Sequence, residues 1–377
     1  MNIAYIVDCK RIPTGLLGGR YQNMEPEQLL KPLFDYFIAS YPELTAQTDD
    51  VIIGNTVGPG GNIARLSLLY AGLPAHIPGV TVDRQCGSGL EAVNQACRLV
   101  QSGAGDIYFA GGVESVSRAP WKMMKPKTLY GSEPLSFYTK ARFAPSDIGD
   151  PTMIEAAENV AQTYNVSREA QDHYAFLSYQ RAALNSRLMV EESIPVKVNG
   201  EWQTHDEGLR SDIAQVKLAR YKPLLPGGTV TIGNACRLND GAALALVVSE
   251  KVVNAFGLHP KLKFIDSAAA GVSPNVAGIG PVASTEKLLG RLQLTINDIN
   301  YVEFNEAFAS QVVASCSKLG IKDNKLNVSG GALAFGHPYA ASGAMLVARS
   351  CQRHGRILAA IGIGGGQGIS TLFESVG

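Results

Sequence analysis

Short apolar runs alternate with amphipathic stretches along most of the chain, and the spacing of the apolar positions predicts the elements. In the first 118 residues it predicts strands over Asn2–Asp8 and Asp50–Gly54 and helices over Pro26–Ser40 and Ile63–Gly72. Pro32 lies deep in the first of these helices and is expected to kink it or delay its start. Val80-Thr81-Val82 reads as a buried strand. After the turn Asp83-Arg84-Gln85 comes Cys86, and Gly87-Ser88-Gly89 then opens a helix whose apolar face is Leu90, Val93, Cys97 and Val100. Ser102-Gly103 closes it, and Asp106–Gly112 is a further buried strand. Strands and helices in alternation predict a helix-covered parallel or mixed sheet, an α/β protein.

Between about Ala119 and Arg237 the pattern changes. An irregular segment with Trp121, Met123, Met124 and several Lys and Pro residues precedes helices over Met153–Tyr164 and from an N-cap at Ser167 to about Arg187. This reads as an α-rich insertion whose basic residues form a solvated face. Strand character returns over Gly241–Ser249, and alternation resumes from about Leu262. The second series is a helix Thr285–Leu292, a strand Tyr301–Phe304, a helix Phe308–Leu319, a strand Lys325–Val328, a helix Ser342–His354 and a strand Ile357–Ile363 ending in glycines. The two series look alike. Each has a strand, a reactive residue, a helix opened by Ser-Gly (Ser88-Gly89 and Ser342-Gly343) and a strand ending in glycines. A duplicated unit with pseudo-twofold symmetry brings the two helix starts together, and with them Cys86 and His337.

Charge and cysteine content narrow the classes of function. Lys+Arg and Asp+Glu are equal at 33 each, so no global field attracts nucleic acid or an anionic membrane. No pair among the six cysteines has CxxC spacing, which points away from a zinc site or a dithiol motif. No apolar run approaches membrane-spanning length and the N-terminus lacks a signal peptide's apolar core. A cytoplasmic protein without metal or redox cofactor is expected.

Four stretches carry candidate chemistry. Cys86 sits at a strand-to-helix turn, where helix-end dipoles favour a thiolate, with glycines leaving the sulfur accessible; the alternative is a small buried hydrophobe. His337, in Gly330–Gly343, can hold or take a proton from a nearby thiol, or be structural. Asn305 ends the strand Tyr301–Phe304 and can orient a water, donate to an oxyanion or cap a helix. Gly364-Gly365-Gly366-Gln367-Gly368 offers free N–H groups to a carbonyl oxygen, or is a plain turn; it lacks the lysine of a phosphate loop.

Taken together these segments resemble the thiolase family over essentially the whole chain. The marks are Arg11–Gly15, Val82–Gly89, Ala110–Ser115, Gly228–Thr231 with Asn239–Ala242, Asn305–Phe308, Gly336-His337-Pro338 and Gly362–Gly368. The resemblance implies a duplicated, five-layered αβαβα fold. Residues 1–118 and 238–258 would form the N-terminal half, 119–237 a coenzyme A-binding loop domain and 259–377 the C-terminal half. It implies acyl-CoA thioester substrates and homodimers or homotetramers. It also implies Cys86 as acyl-carrying nucleophile, His337 as its activator, and Asn305 holding a water that forms one oxyanion hole with His337. The N–H groups of Cys86 and Gly364 would form the other hole. Arg210 matches an arginine against the adenine end of coenzyme A, and Met153 and Phe308 match pocket-lining positions.

Departures from the family pattern bear on function. Gly362 stands where the family has a second cysteine, which moves the proton at the α-carbon. Cys236 replaces a serine near the pantetheine arm, Lys217 replaces a smaller polar residue near the coenzyme, and Ala340 replaces a glycine in the His337 turn. General acid–base help is worth about 10²–10⁴ in rate. The resemblance therefore leaves three readings: a thiolase; a thiolase-like acyltransferase or thioesterase that keeps only the first half-reaction, with a decarboxylative condensing enzyme as its variant; and a non-catalytic CoA-binding partner subunit.

Overall fold

The computed structural model describes residues 2–128, 130, 136–138, 140–209 and 213–376. Its frame is one mixed sheet of ten strands. The long members are β1 (Ala4–Arg11), β2 (Asp50–Gly54), β3 (Gly79–Val82), β4 (Ile107–Glu114), β5 (Asn239–Ser249), β6 (Leu262–Gly271), β7 (Tyr301–Phe304), β8 (Arg356–Ile363) and β9 (Gln367–Ser375), in the order β7-β8-β9-β6-β1-β5-β4-β2-β3. The N-terminal half supplies β3, β2, β4, β5 and β1, and the C-terminal half β6, β9, β8 and β7. The halves join where Tyr5 and Ile6 pair with Lys263 and Leu262.

Most strands are apolar at nearly every position because both faces are covered. On β5, Leu244, Leu246 and Val248 face one core while Ala245 and Val247 face another. On β8, Ile357, Ala359 and Ile361 share that second core, while Leu358 and Ala360 face a third. The period of two thus sorts side chains among three cores between five layers. Helices α1 (Pro26–Ser40) and α2 (Ile63–Tyr70) cover the N-terminal half. Helices α3 (Ser88–Ser102) and α8 (Tyr339–Ser350) form the middle layer. Helices α6 (Gly280–Leu292) and α7 (Ala309–Leu319) cover the C-terminal half. The insertion carries α4 (Met153–Thr163) and α5 (Arg168–Leu184). A buried charge network ties it to the core. Arg11 Nη1 lies 2.6 Å from Asp206 and Arg11 Nε 2.7 Å from Glu192, whose other oxygen takes Arg349 Nε at 2.7 Å. Burial opposes ionisation of Glu192, but Arg349 and Arg11 outweigh it and hold the carboxyl down to about 2.

Glycine lets the middle layer close. A Cβ on Gly89 would lie 2.4 Å from the Ala340 carbonyl oxygen, and one on Gly343 would lie 2.6 Å from Leu90 N, so the two Ser-Gly helix starts touch backbone to backbone. On β4, a Cβ at Gly112 would stand 2.2 Å from the same Ala340 oxygen. Backbone on both sides cannot yield, so Gly112→Ala is expected to cost about 1–3 kcal/mol by overpacking. A thermal melt of the variant checks this; an unchanged Tm would show that the helix start moves freely.

Several elements differ from the sequence expectation. Pro32 neither stops nor delays α1, which runs through it because Leu29, Leu30, Leu33, Phe34 and Phe37 bury one continuous face. Lys325–Val328 is not a strand and keeps only a bridge between Val302 and Leu326. Asn327, at φ +40°, uses its side-chain amide to accept from Phe304 N and donate to Phe304 O, replacing the backbone ladder. The helix read to about Arg187 ends at Leu184, and a short one follows over Ser186–Glu191. The helix expected from Ser342 starts at Tyr339, and the last strand, β9, was hidden by its glycine-rich start.

Candidate active site

The turn between β3 and α3 is built from its own side chains. Asp83 Oδ1 accepts from Gln85 N at 2.7 Å, and Ser88 Oγ accepts from Arg84 N at 2.8 Å while donating to the Gln85 carbonyl. Gln85 is held at φ +47°, a left-handed conformation few non-glycine residues adopt. Cys86 follows it, two residues before α3 begins at Ser88. Ile363, at the end of β8, packs against this turn, since a Cβ on Gly87 would meet its Cδ1 at 2.6 Å. The C-terminal half thereby delivers its glycine turn to the sulfur. The backbone N–H groups of Cys86 itself and of Gly364 favour the ionised Cys86 sulfur electrostatically.

His337 comes from the other half. Its N–H donates to the Arg237 carbonyl at 3.1 Å, and its Nδ1 lies 2.5 Å from Ser342 Oγ, one turn into α8. Nε2 is left buried and without a hydrogen-bond partner. A cavity of about 280 Å³ brings Cys86, His337, Gly362, Cys236, Met153 and Phe308 together; Gln311 and Tyr339 also line it.

The electrostatics correct one expectation. Burial first, then the negative charge of Glu114, pushes the Cys86 thiol up to about 12, and the N–H groups of Cys86 and Gly364 only partly offset this. The resting sulfur is therefore a thiol, not the thiolate expected from the helix end. Burial lowers His337 to about 4, so its ring is neutral. A neutral thiol beside a neutral imidazole can pass a proton one way as the sulfur attacks, then back. Cys236 is pushed up to about 12, first by burial and then by Cys86.

The thiolase N-terminal domain model matches residues 4–251, and the thiolase C-terminal domain model matches residues 258–375. The chain belongs to the thiolase family. It is 53% identical over 99% of both chains to a Staphylococcus epidermidis protein named as a candidate acetyl-CoA C-acetyltransferase, VraB. It is 50% identical, again over 99% of both, to a Staphylococcus aureus protein of the same name. Among solved structures it superposes on the Bacillus anthracis acetyl-CoA acetyltransferase with a TM-score of 0.91, at 30% identity over 100% of this chain and 99% of that one. Human mitochondrial 3-ketoacyl-CoA thiolase in complex with CoA gives 0.92 at 29% identity, over 100% and 98%.

Within this thiolase fold some expected site residues lie elsewhere. Asn305 does not line the cavity of Cys86 and His337. It borders a neighbouring space of about 20 Å³ together with Ser342, room for about one water, and its Nδ2 is buried without a partner. Lys217 is exposed on the short helix Gln215–Ala219, away from the cavity. Arg210 falls outside the described residues. Glu306, next to Asn305, has its carboxylate filled, accepting from Tyr174, Ser178, Asn327 and Leu333 N. The strained residue in the His337 turn is Tyr339, at φ +28°, rather than Ala340, which sits inside α8. Gly362 itself needs no special conformation, because its φ is not positive.

Three residues without an assigned role in the sequence reading shape the site. Glu114 accepts from Asn55 Nδ2 and Val57 N, each at 3.0 Å, and from Ala340 N at 3.3 Å, so it clamps the His337 turn to the N-terminal half. Tyr339 stands edge-on to the His337 ring, with 5.7 Å between centroids. Gln311 lies three residues after Phe308, a spacing that puts both on one side of a helix start.

Proposed function

We propose that this protein transfers acetyl groups between coenzyme A thioesters through an acyl-enzyme on Cys86. In one direction it cleaves a 3-ketoacyl-CoA with coenzyme A; in the other it condenses two acetyl-CoA to acetoacetyl-CoA. The observation that carries this reading is a cysteine that shares one cavity with an imidazole nitrogen, His337 Nε2, buried and lacking a partner. As Cys86 attacks a carbonyl carbon, His337 Nε2 takes the thiol proton, and a bond forms between sulfur and carbon. Collapse of the adduct expels the leaving group and leaves acetyl-Cys86, whose carbonyl oxygen the Cys86 and Gly364 N–H groups receive. Asn305 Nδ2, unpaired in the neighbouring space beside Ser342, can hold a water there, outside the cavity that Cys86 and His337 line. The relatives' names and the CoA-bound thiolase support coenzyme A thioesters as substrates.

The pantetheine arm runs along Met153, Phe308 and Cys236, with residues 119–237 as the coenzyme-binding domain and Lys217 toward its nucleotide end; for Arg210 the family resemblance alone suggests a role, against the adenine. The enzyme works in the cytoplasm as a homodimer or homotetramer, with no resident cofactor. Among the described residues no helix is long and apolar enough to cross a membrane.

Gly362 favours a second reading, an acyltransferase or decarboxylative condensing enzyme with weak cleavage. Incubation with acetyl-CoA, followed by mass spectrometry and by an acetoacetyl-CoA cleavage assay, separates the readings. The first expects one acetyl group on the protein and cleavage that depends on coenzyme A. An adduct without cleavage supports the second, and no adduct refutes both.

A further inference from the structure

The space in front of Gly362 is occupied. A Cβ built on Gly362 would stand 2.5 Å from Gln311 Nε2. Gln311 is 2% exposed, lines the cavity of Cys86 and His337, and its Nε2 has no hydrogen-bond partner. A buried amide donor left unpaired is costly and calls for an explanation. Neighbouring polar groups in the same fold show what satisfaction looks like: Glu306, five residues earlier, has its carboxylate met by four donors. The Gln311 amide points instead at Gly362, where the cavity wall has no side chain.

We infer that Gln311 is a catalytic residue whose amide N–H binds the thioester oxygen of the acyl-CoA whose α-carbon reacts, and stabilises that oxygen as the enolate forms. This rests on the thiolase reading. In cleavage, the bond from Cys86 Sγ to the keto carbon forms. The bond from that carbon to the α-carbon then breaks, and its electron pair delocalises onto the thioester oxygen, where Gln311 donates. His337, carrying the proton taken from Cys86, returns it to the α-carbon, and acetyl-CoA leaves. Coenzyme A enters, His337 takes its thiol proton, and the thiolate attacks acetyl-Cys86. Acetyl-CoA forms, the Cys86 thiolate is released, and His337 gives the proton back. Each proton is accounted for with one base, and the enolate is carried by a hydrogen bond rather than by a second thiol.

The test replaces Gln311 by methionine, which keeps the length and removes the donor, and compares two readouts with the native protein. The amount and rate of acetyl-Cys86 formed from acetyl-CoA are expected to stay within about threefold. The kcat for acetoacetyl-CoA cleavage is expected to fall about 10²–10³-fold, the usual cost of one oxyanion donor, with KM little changed. Gly362→Ala is the companion variant, because it keeps the amide but displaces it, and the same split is expected. Circular dichroism confirms folding. Equal cleavage by native and Gln311→Met protein overturns the inference, as does a parallel fall of both readouts in the two variants, which would mark a structural role. If the native protein forms no acetyl adduct, the thiolase reading itself fails and takes the inference with it, a result distinct from either.

Discussion

A Cys86→Ala protein forms no acetyl adduct with acetyl-CoA, and its acetoacetyl-CoA cleavage falls by about 10⁴-fold or more, the scale on which loss of a covalent nucleophile acts. The expectation is this large because nothing adjacent can take over. Cys236 shares the cavity and is as hard to ionise as Cys86, but the Gly364 N–H that favours the ionised Cys86 sulfur does not act on it. Intact-protein mass spectrometry after incubation with acetyl-CoA reads the adduct directly, and a peptide digest places it. An adduct that survives Cys86→Ala would move the nucleophile to another residue.

His337→Ala lowers the rate of Cys86 acetylation by about 10²–10⁴-fold at neutral pH, the ordinary value of general-base help. The native pH profile carries the same residue's signature. Burial lowers the imidazole from its ordinary 6.5 to about 4, so its proton-accepting form persists well below neutrality. Acetylation is therefore level from neutral pH downward and falls only as pH approaches about 4. Stability follows the same group. Between about 4 and 6.5 the unfolded histidine binds a proton that the folded one does not, so its contribution to stability is lost as pH falls through that window. His337→Ala should remove that part of the slope. A profile that bends near 6.5 would show an imidazole open to water.

The layered fold was legible because its signal is repeated: apolar runs with helices between them occur twice, and both Ser-Gly helix starts stand in the chain as written. That Cys86 and His337 come to one cavity was legible for the same reason. What escaped were features made by side chains acting on backbone. Lys325–Val328 has strand composition, but the Asn327 amide serves Phe304 in place of a ladder, and no periodicity reveals that. The resting state of Cys86 escaped because a helix end is visible in sequence, while the burial that outweighs it is a sum over distant segments. Gln311 escaped because its meaning depends on Gly362, 51 positions away, and becomes visible only when the empty Cβ position is measured against its amide.

The place of β5 in the sheet has a consequence for how the protein is made. This strand is inserted between β1 and β4, pairing Cys9 with Ala245 on one side and Ala245 with Ala110 on the other. A ribosome has therefore to deliver residues 239–249 before the first eight-residue strand finds its neighbour. Until then β1 and β4 present open edges, and the insertion emerges ahead of the strand that seats it. Pairing across so long a loop is slow to form, and exposed edges recruit other chains. The interval between synthesis of the insertion and of β5 is thus the period in which the nascent chain most needs protection from its own kind.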